Sequence, residues 1–212
     1  YTYTEPTIFY EYAYDIAVTA AGRGLKNIFV TNGYMTARML DHARSVLHAA
    51  NVDLKSFSDD FYRRQCKARL QPVLDSIRRM KALDIWIEVT TLLIPGENDS
   101  DDELRKIASF IAETGVDIPW HISRFYPQYH MRRKMPTDIA VLERAYAIGR
   151  ESGLRYVYLG NVPDRSDTRC HVCDELLITR SGFGVAENRL TPHGTCPRCH
   201  AALDGVFACA VR

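Results

Sequence analysis

Residues 85–126 read IWIEVTTLLIPGENDSDDELRKIASFIAETGVDIPWHISRFY. The first ten, 85–94, are rich in β-branched side chains and stop at Pro95-Gly96, which predicts a strand ended by a turn. Ser100 with Glu103 forms a capping-box pattern, so a helix is expected from there to residue 113, closed by Gly115. A second strand-like run covers 118–126. Strand, crossover helix and strand make a βαβ unit, and such a unit pairs its strands in parallel.

The same rhythm extends in both directions. Downstream, Thr137 or Asp138 caps a helix to residue 152, Gly153 closes it, and 155–159 forms the last strand. Upstream, Pro72 suits the first position of a helix over 72–83, after a short helical start at Ser58-Asp59-Asp60-Phe61. Before these come a strand at 50–54, a helix at about 36–48, and a strand at 27–31 with Phe29 and Val30 as a buried pair. The chain opens with a strand-like run at 1–4 and a helix over 8–21 that ends at Gly22 and Gly24. The alternation predicts an α/β fold, a parallel sheet or incomplete barrel covered by helices.

Right-handed crossovers bring the carboxyl ends of such strands to one rim, where distant residues converge on a ligand. The polar strand ends are Thr4-Glu5-Pro6, Thr31-Asn32-Gly33, Asp53-Leu54-Lys55, Thr90-Thr91 leading to Ile94-Pro95-Gly96, His121 to Arg124, and Gly160-Asn161. Asp53 and Lys55 are two apart, so alternation points both to one face. They suit either a hydroxylated, charged ligand or an exposed ion pair after an edge strand. Glu5, beside Pro6, reads as a receiver for an ammonium group or as a cap of the next helix. His121, after Pro119-Trp120, reads as a structural histidine or a ligand contact, and Thr90 and Thr91 as simple strand formers. Arg132-Arg133-Lys134 reads as a solvated loop or a partner contact.

With 212 residues and a formal net charge of +1, the chain can bury one substantial core and carries no dominant field for nucleic acid or membrane. No apolar run is long enough to span a bilayer and no signal peptide opens the sequence, so a cytoplasmic protein is expected. Asn98-Asp99-Ser100 matches a glycosylation sequon, which carries no meaning without secretion. The opening Tyr1-Thr2-Tyr3-Thr4, with no methionine and no cap before it, reads as a cut inside a fold with earlier elements missing.

Composition shifts to polar turn residues at 163–168, and the expected division is a partial barrel at 1–162 and a different module at 163–212. In that module Cys170-x-x-Cys173 and Cys196-x-x-Cys199 flank a strand-like 176–179 and the glycines Gly182, Gly184 and Gly194. Two CxxC knuckles set four sulfurs around one ion, which predicts a zinc ribbon, with rubredoxin-like iron or redox-active thiols as competitors. His171, His193 and His200 lie near the knuckles but are not needed as ligands, and Cys66 and Cys209 read as ordinary residues.

The order and spacing of Thr4-Glu5-Pro6, Thr31-Asn32-Gly33, Asp53-x-Lys55, Leu92-Leu93-Ile94-Pro95-Gly96 and Trp120-His121 resemble the radical S-adenosylmethionine superfamily, in the branch of glycyl-radical-enzyme activases. The stretches 3–11, 30–35, 51–58 and 160–163, with the closing CxxC pairs, resemble the AmmeMemoRadiSam system radical SAM enzymes. The resemblance covers essentially the whole chain. It implies a partial (β/α)6 barrel whose first strand is missing, followed by a zinc ribbon. It also implies that Tyr3, Thr4 and Glu5 stand at the family's GGEP-type motif and hold the methionine amino group, with Tyr3 and Thr4 replacing two glycines. Thr31 and Asn32 would lie near the methionine moiety, and Asp53 and Lys55 would hold ribose and carboxylate. Thr90 and Leu92 would touch the nucleoside, with His121 close to the cofactor.

The implied activity is reductive cleavage of S-adenosylmethionine at a [4Fe-4S] cluster to a 5′-deoxyadenosyl radical. That radical would abstract hydrogen from an unknown substrate, such as a partner protein, with a reductant such as flavodoxin or ferredoxin. The family's cluster motif, CxxxCxxC, occurs nowhere in the chain, and four zinc-bound cysteines leave no open iron. The expectation is therefore that the cluster ligands lie upstream and that this stretch is catalytically silent alone. Two rivals stand beside it: a barrel lyase using Lys55 as a Schiff-base nucleophile, and a non-catalytic zinc-ribbon binding module.

Overall fold

The computed structural model describes residues 1–163, 166–182 and 184–207, so Cys209 lies outside the described residues. Five strands, β1 (Asn27–Thr31), β2 (Leu47–Asp53), β3 (Trp86–Leu93), β4 (Trp120–Arg124) and β5 (Val157–Gly160), form one sheet in chain order. Every neighbouring pair in it is parallel. The crossovers carry α1 (Tyr10–Gly22), α2 (Ala37–Ala43), the single turn α3 (Asp59–Phe61), α4 (Leu70–Ala82), α5 (Asp101–Thr114) and α6 (Ile139–Glu151). This is the α/β fold that the alternation predicts.

Period two decides which side of the sheet each residue serves. Phe29, Val52, Val89, Trp120, Ile122 and Leu159 point to the helices and are buried, against Ile77 and Met80 of α4, Ile107 and Ile111 of α5, and Leu142 and Ala145 of α6. Each such side chain contributes about 1.5–3 kcal/mol by leaving water, and together they fix the register. The intervening residues, Asp53, Glu88, Thr90, His121 and Tyr158 among them, project to the other side, where Glu88, His121 and Tyr158, but not Asp53 or Thr90, line a cavity of about 1580 Å³. Val30 belongs to that side and is exposed, so only Phe29 of the expected pair is in the core.

Several boundaries differ from the sequence expectation for identifiable reasons. Residues 1–4 form no strand. Tyr1 alone pairs with β1, its N–H donating to the Ile28 carbonyl at 2.8 Å and its carbonyl accepting from Val30 at 2.9 Å. The left-handed φ of 69° at Tyr3 then turns the chain away. The helix expected at 36–48 ends at Ala43, because residues from Leu47 onward join the parallel ladder with β1, Leu47 opposite Asn27 and Ala49 opposite Ile28. Pro72 is the third helical residue of α4 instead of the first, since the helix starts at Leu70, whose N–H is taken by Asp59 Oδ1 at 3.0 Å. Ser100 does cap α5 by accepting from Glu103 N–H, but the Glu103 carboxylate is turned elsewhere, so the reciprocal half of the capping box is not made. Asp138, not Thr137, caps α6.

Beyond β5 three short strands, β6 (Thr168–Arg169), β7 (Leu176–Ser181) and β8 (Gly184–Asn188), form an antiparallel sheet. Among the described residues its buried core is Cys170, Leu177, Cys196 and Leu203, too little apolar area to hold the segment by itself. It is seated on the amino end of β5. Arg155 pairs with Asp204 at 2.8 Å, the Tyr156 hydroxyl donates to Asp204 Oδ2 at 3.1 Å, and the Tyr158 hydroxyl bonds Thr168 Oγ1 at 3.0 Å.

Candidate functional site

Glu5 organises the first part of the rim. Its Oε1 accepts from Thr31 Oγ1 at 2.6 Å and from Thr7 N and Oγ1 at 3.3 and 3.1 Å, while Oε2 accepts from Asn32 N–H at 2.7 Å. The carboxylate therefore locks the Thr4-Glu5-Pro6 turn onto the carboxyl end of β1. Most of its roughly four lone-pair sites are filled, and the open capacity is on Oε2. Gly33 completes the turn at φ 72°, where a Cβ would stand 2.7 Å from Val52 Cγ1. Tyr3 takes the left-handed conformation that glycine adopts without strain, and its side chain is fully exposed. Thr4 is exposed as well.

The register places three further candidates side by side. Asp53 of β2 is opposite Thr90 of β3, Thr90 is opposite His121 of β4, and His121 is opposite Tyr158 of β5. All four face away from the helices as one row across the sheet, and of them His121 and Tyr158 line the cavity. Leu92 belongs to the next row towards the rim, opposite Ser123 and Gly160. Thr90 and His121 thus sit below the rim itself. Thr90 Oγ1 donates to Asn51 Oδ1 at 2.8 Å, whereas Thr91 points to the helix side and is buried against the Leu54 carbonyl.

His121 Nε2 lies 2.6 Å from Glu88 Oε2, and its ring stacks on Tyr158 with centroids 5.2 Å apart. Burial alone would raise the Glu88 carboxyl. The hydrogen bond and charge of His121, the Trp86 indole and the Arg180 charge outweigh it, so the carboxyl lies below its ordinary range. Burial raises the Tyr158 phenol, which stays protonated at neutral pH.

Asp53 and Lys55 meet at 2.7 Å, each about 38% exposed, and so stay open to a ligand. Their placement comes from two residues that the sequence suggested for other roles. Asn98, buried, donates to the carbonyls of Lys55 at 2.6 Å and Leu92 at 2.9 Å and accepts from Ile94 N–H at 2.7 Å. Its side-chain nitrogen is thus committed inside the fold and not offered as a glycosylation acceptor. Glu103 accepts from Ser56 Oγ and from Phe57 N–H at 2.6 Å, pinning the loop after β2 onto α5. Asn98 was hidden as a common tripeptide and Glu103 as half of a cap. Glu88 had a visible signal, a carboxylate at alternate spacing inside an apolar strand.

In the second sheet Cys170, Cys173, Cys196 and Cys199 bring their sulfurs within 4.8 Å of one another, none in a disulfide. Cys170 and Cys199 are 3.5 Å apart and Cys173 and Cys196 are 3.7 Å apart. Tetrahedral zinc–thiolate bonds of about 2.3 Å put sulfurs about 3.8 Å apart, so the set fits one zinc or iron ion. Among the described residues no histidine joins this group. A [4Fe-4S] cluster with an open iron does not fit the residues present, because these four thiolates form a closed set and the sequence holds no CxxxCxxC.

A parallel α/β sheet with a polar row on its open side, followed by a four-cysteine module, defines the class. Residues 1–110 match the Radical SAM superfamily, and the chain belongs to it. It is 44% identical over 188 residues to the uncharacterized protein MJ0808 of Methanocaldococcus jannaschii, covering 87% of this chain and 56% of that protein. It is 24% identical over 129 residues to the isethionate sulfite-lyase activating enzyme of Oleidesulfovibrio alaskensis, covering 58% of this chain and 42% of that one. The chain thus spans about half the length of the curated relatives it matches. A domain of pyruvate-formate lyase-activating enzyme from Bacteroides vulgatus shares the fold at TM-score 0.62 and 20% identity, over 76% of this chain and 97% of that one. No helix among the described residues is long and apolar enough to cross a membrane.

Proposed function

We propose that this chain is the S-adenosylmethionine-binding part of a radical SAM enzyme of the AmmeMemoRadiSam group, with a partial barrel at 1–162 and a zinc ribbon at 163–212. The observation that carries the reading is the family match over 1–110 together with the row Asp53, Thr90, His121 on one face of that matched sheet and its extension. In this reading the backbone at Tyr3 and Thr4, with the open Oε2 capacity of Glu5, receives the methionine ammonium, and Thr31 and Asn32 hold Glu5 in place for it. Asp53 accepts from the ribose hydroxyls and Lys55 meets the methionine carboxylate. Thr90 and Leu92 border the nucleoside, and His121 closes the row.

The cluster belongs to cysteines outside these 212 residues in this reading, supported by the partial coverage of the relatives. Bound there and reduced, it would supply the one-electron cleavage of S-adenosylmethionine to the hydrogen-abstracting 5′-deoxyadenosyl radical. The activating enzymes among the relatives and fold neighbours are named for enzymes, which supports a polypeptide substrate; the reductive step in this reading calls for an electron donor of the flavodoxin or ferredoxin kind.

Calorimetric titration of the chain with S-adenosylmethionine tests the reading: binding weakened at least tenfold by Asp53→Ala supports it, and absence of binding refutes it. The Schiff-base rival is disfavoured because Lys55 is more than one-third exposed and engaged by Asp53 instead of desolvated in an apolar pocket. Borohydride trapping of a carbonyl substrate at Lys55 would reverse that judgement.

A further inference from the structure

The four-cysteine module forms part of the wall of the cavity that the parallel sheet bounds. Arg180, on β7, lines that cavity together with Trp86, Glu88, His121 and Tyr158 of the large sheet. Its guanidinium is fixed from behind: Nη1 donates to the Ser166 carbonyl at 2.6 Å and to Thr168 Oγ1 at 2.9 Å, and Cζ lies 5.6 Å from the Tyr158 ring centroid. The nearby Asp167 carboxylate is occupied by the Arg180 backbone N–H at 2.9 Å. Among the described residues no carboxylate stands within ion-pair distance of Arg180, and its Nε and second terminal nitrogen make no hydrogen bond.

The rest of the lining has the same bias. Lys26 and Arg44 border the cavity and have no ion-pair partner among the described residues. Of the lining carboxylates among the described residues, Glu88 is held by His121 at 2.6 Å and Asp204 by Arg155 at 2.8 Å, which leaves Asp84. A guanidinium packed on an aromatic face, with unused N–H donors in a fixed plane, is built to recognise a planar or tetrahedral oxyanion.

We propose that this cavity binds an anionic ligand carrying a carboxylate or phosphate group, with Arg180 as its recognition residue, so that the metal-thiolate module sets the ligand preference of the barrel. The proposal deepens the functional reading above and rests on the cavity being its substrate side. The module's seating on β5 through Asp204 and Thr168 carries Arg180 into position. Ligand binding is therefore coupled to metal loading.

Zinc-loaded chain is titrated by calorimetry with succinate, pyrophosphate and the neutral succinamide, and fluorescence of Trp86, which lines the cavity, reports where binding occurs. Saturable binding of at least one anion is expected, with none of succinamide. Succinate alone would assign a carboxylate ligand and pyrophosphate alone a phosphate. Arg180→Gln should weaken binding at least tenfold. Because Arg180 also bonds Ser166 and Thr168, Arg44→Gln on an exposed side chain is the second variant, expected to weaken it several-fold with the fold intact. Equal binding of succinamide, no response to either anion, or unchanged affinity in both variants overturns the proposal. Binding of S-adenosylmethionine without any anion response removes this inference alone. Failure to bind S-adenosylmethionine removes the radical reading on which it rests.

Discussion

The Asn98 amide donates to the Lys55 carbonyl at 2.6 Å, joining the loop after β3 to the loop after β2 directly behind the Asp53–Lys55 pair. With its bonds to Leu92 and Ile94, this one side chain satisfies three backbone groups, the Ile94 N–H in a buried bond and the Leu92 and Lys55 carbonyls in partly buried ones. Asn98→Ala should cost about 2–4 kcal/mol, since each orphaned buried group forfeits about 1–3 kcal/mol and the site partly relaxes. Urea denaturation measures it, and a loss below about 1 kcal/mol would contradict the role given to Asn98.

Glu88 should titrate below the ordinary carboxylate range of about 4.3, observable by carbon NMR of its carboxyl. A depressed carboxyl contributes stability above its unfolded value, and that contribution is lost as pH falls through the folded one. In His121→Ala burial is opposed only by Trp86 and Arg180, so the midpoint should rise. A midpoint unchanged by the substitution would mean that His121 does not hold the carboxylate.

Gly33→Ala should destabilise the β1 turn by about 1–3 kcal/mol, because the left-handed conformation and the approach to Val52 both oppose a methyl group. Thermal denaturation checks it, and a neutral substitution would show that the turn relaxes freely.

Metal analysis of the purified chain should find about one zinc or iron ion, by the four-thiolate geometry. The double variant Cys170→Ala, Cys196→Ala should bind none. It should lose hydrogen-exchange protection in β6 to β8 while the amides of β2 to β4 stay protected, since the two cores share no buried residues. Uniform loss across both sheets would instead mean that the metal supports the whole chain.

Much of the fold was written in local punctuation. The exact agreement at 27–31, and the caps at Ser100 and Asp138, come from turn chemistry that acts within a few residues. The CxxC spacing likewise encodes the four-sulfur cluster, because a knuckle is a local shape. What the sequence hid depends on contacts between distant residues. Tyr1 to Thr4 has strand composition, yet Tyr3 turns out of the sheet. Residues 47–52 pair with β1 about twenty positions away, so no local signal marked the end of α2. Glu88, Tyr158 and Arg180 gain their meaning only when register and the second sheet bring them to one cavity.

The polar row on this sheet is proposed as a binding surface for S-adenosylmethionine. The most direct test is calorimetric titration of the chain and of Asp53→Ala, with folding of both verified by circular dichroism. The account predicts saturable binding to the wild-type chain, weakened at least tenfold, about 1.4 kcal/mol, by the substitution. A folded wild-type chain that does not bind S-adenosylmethionine, or an Asp53→Ala chain that binds it equally well, would contradict it.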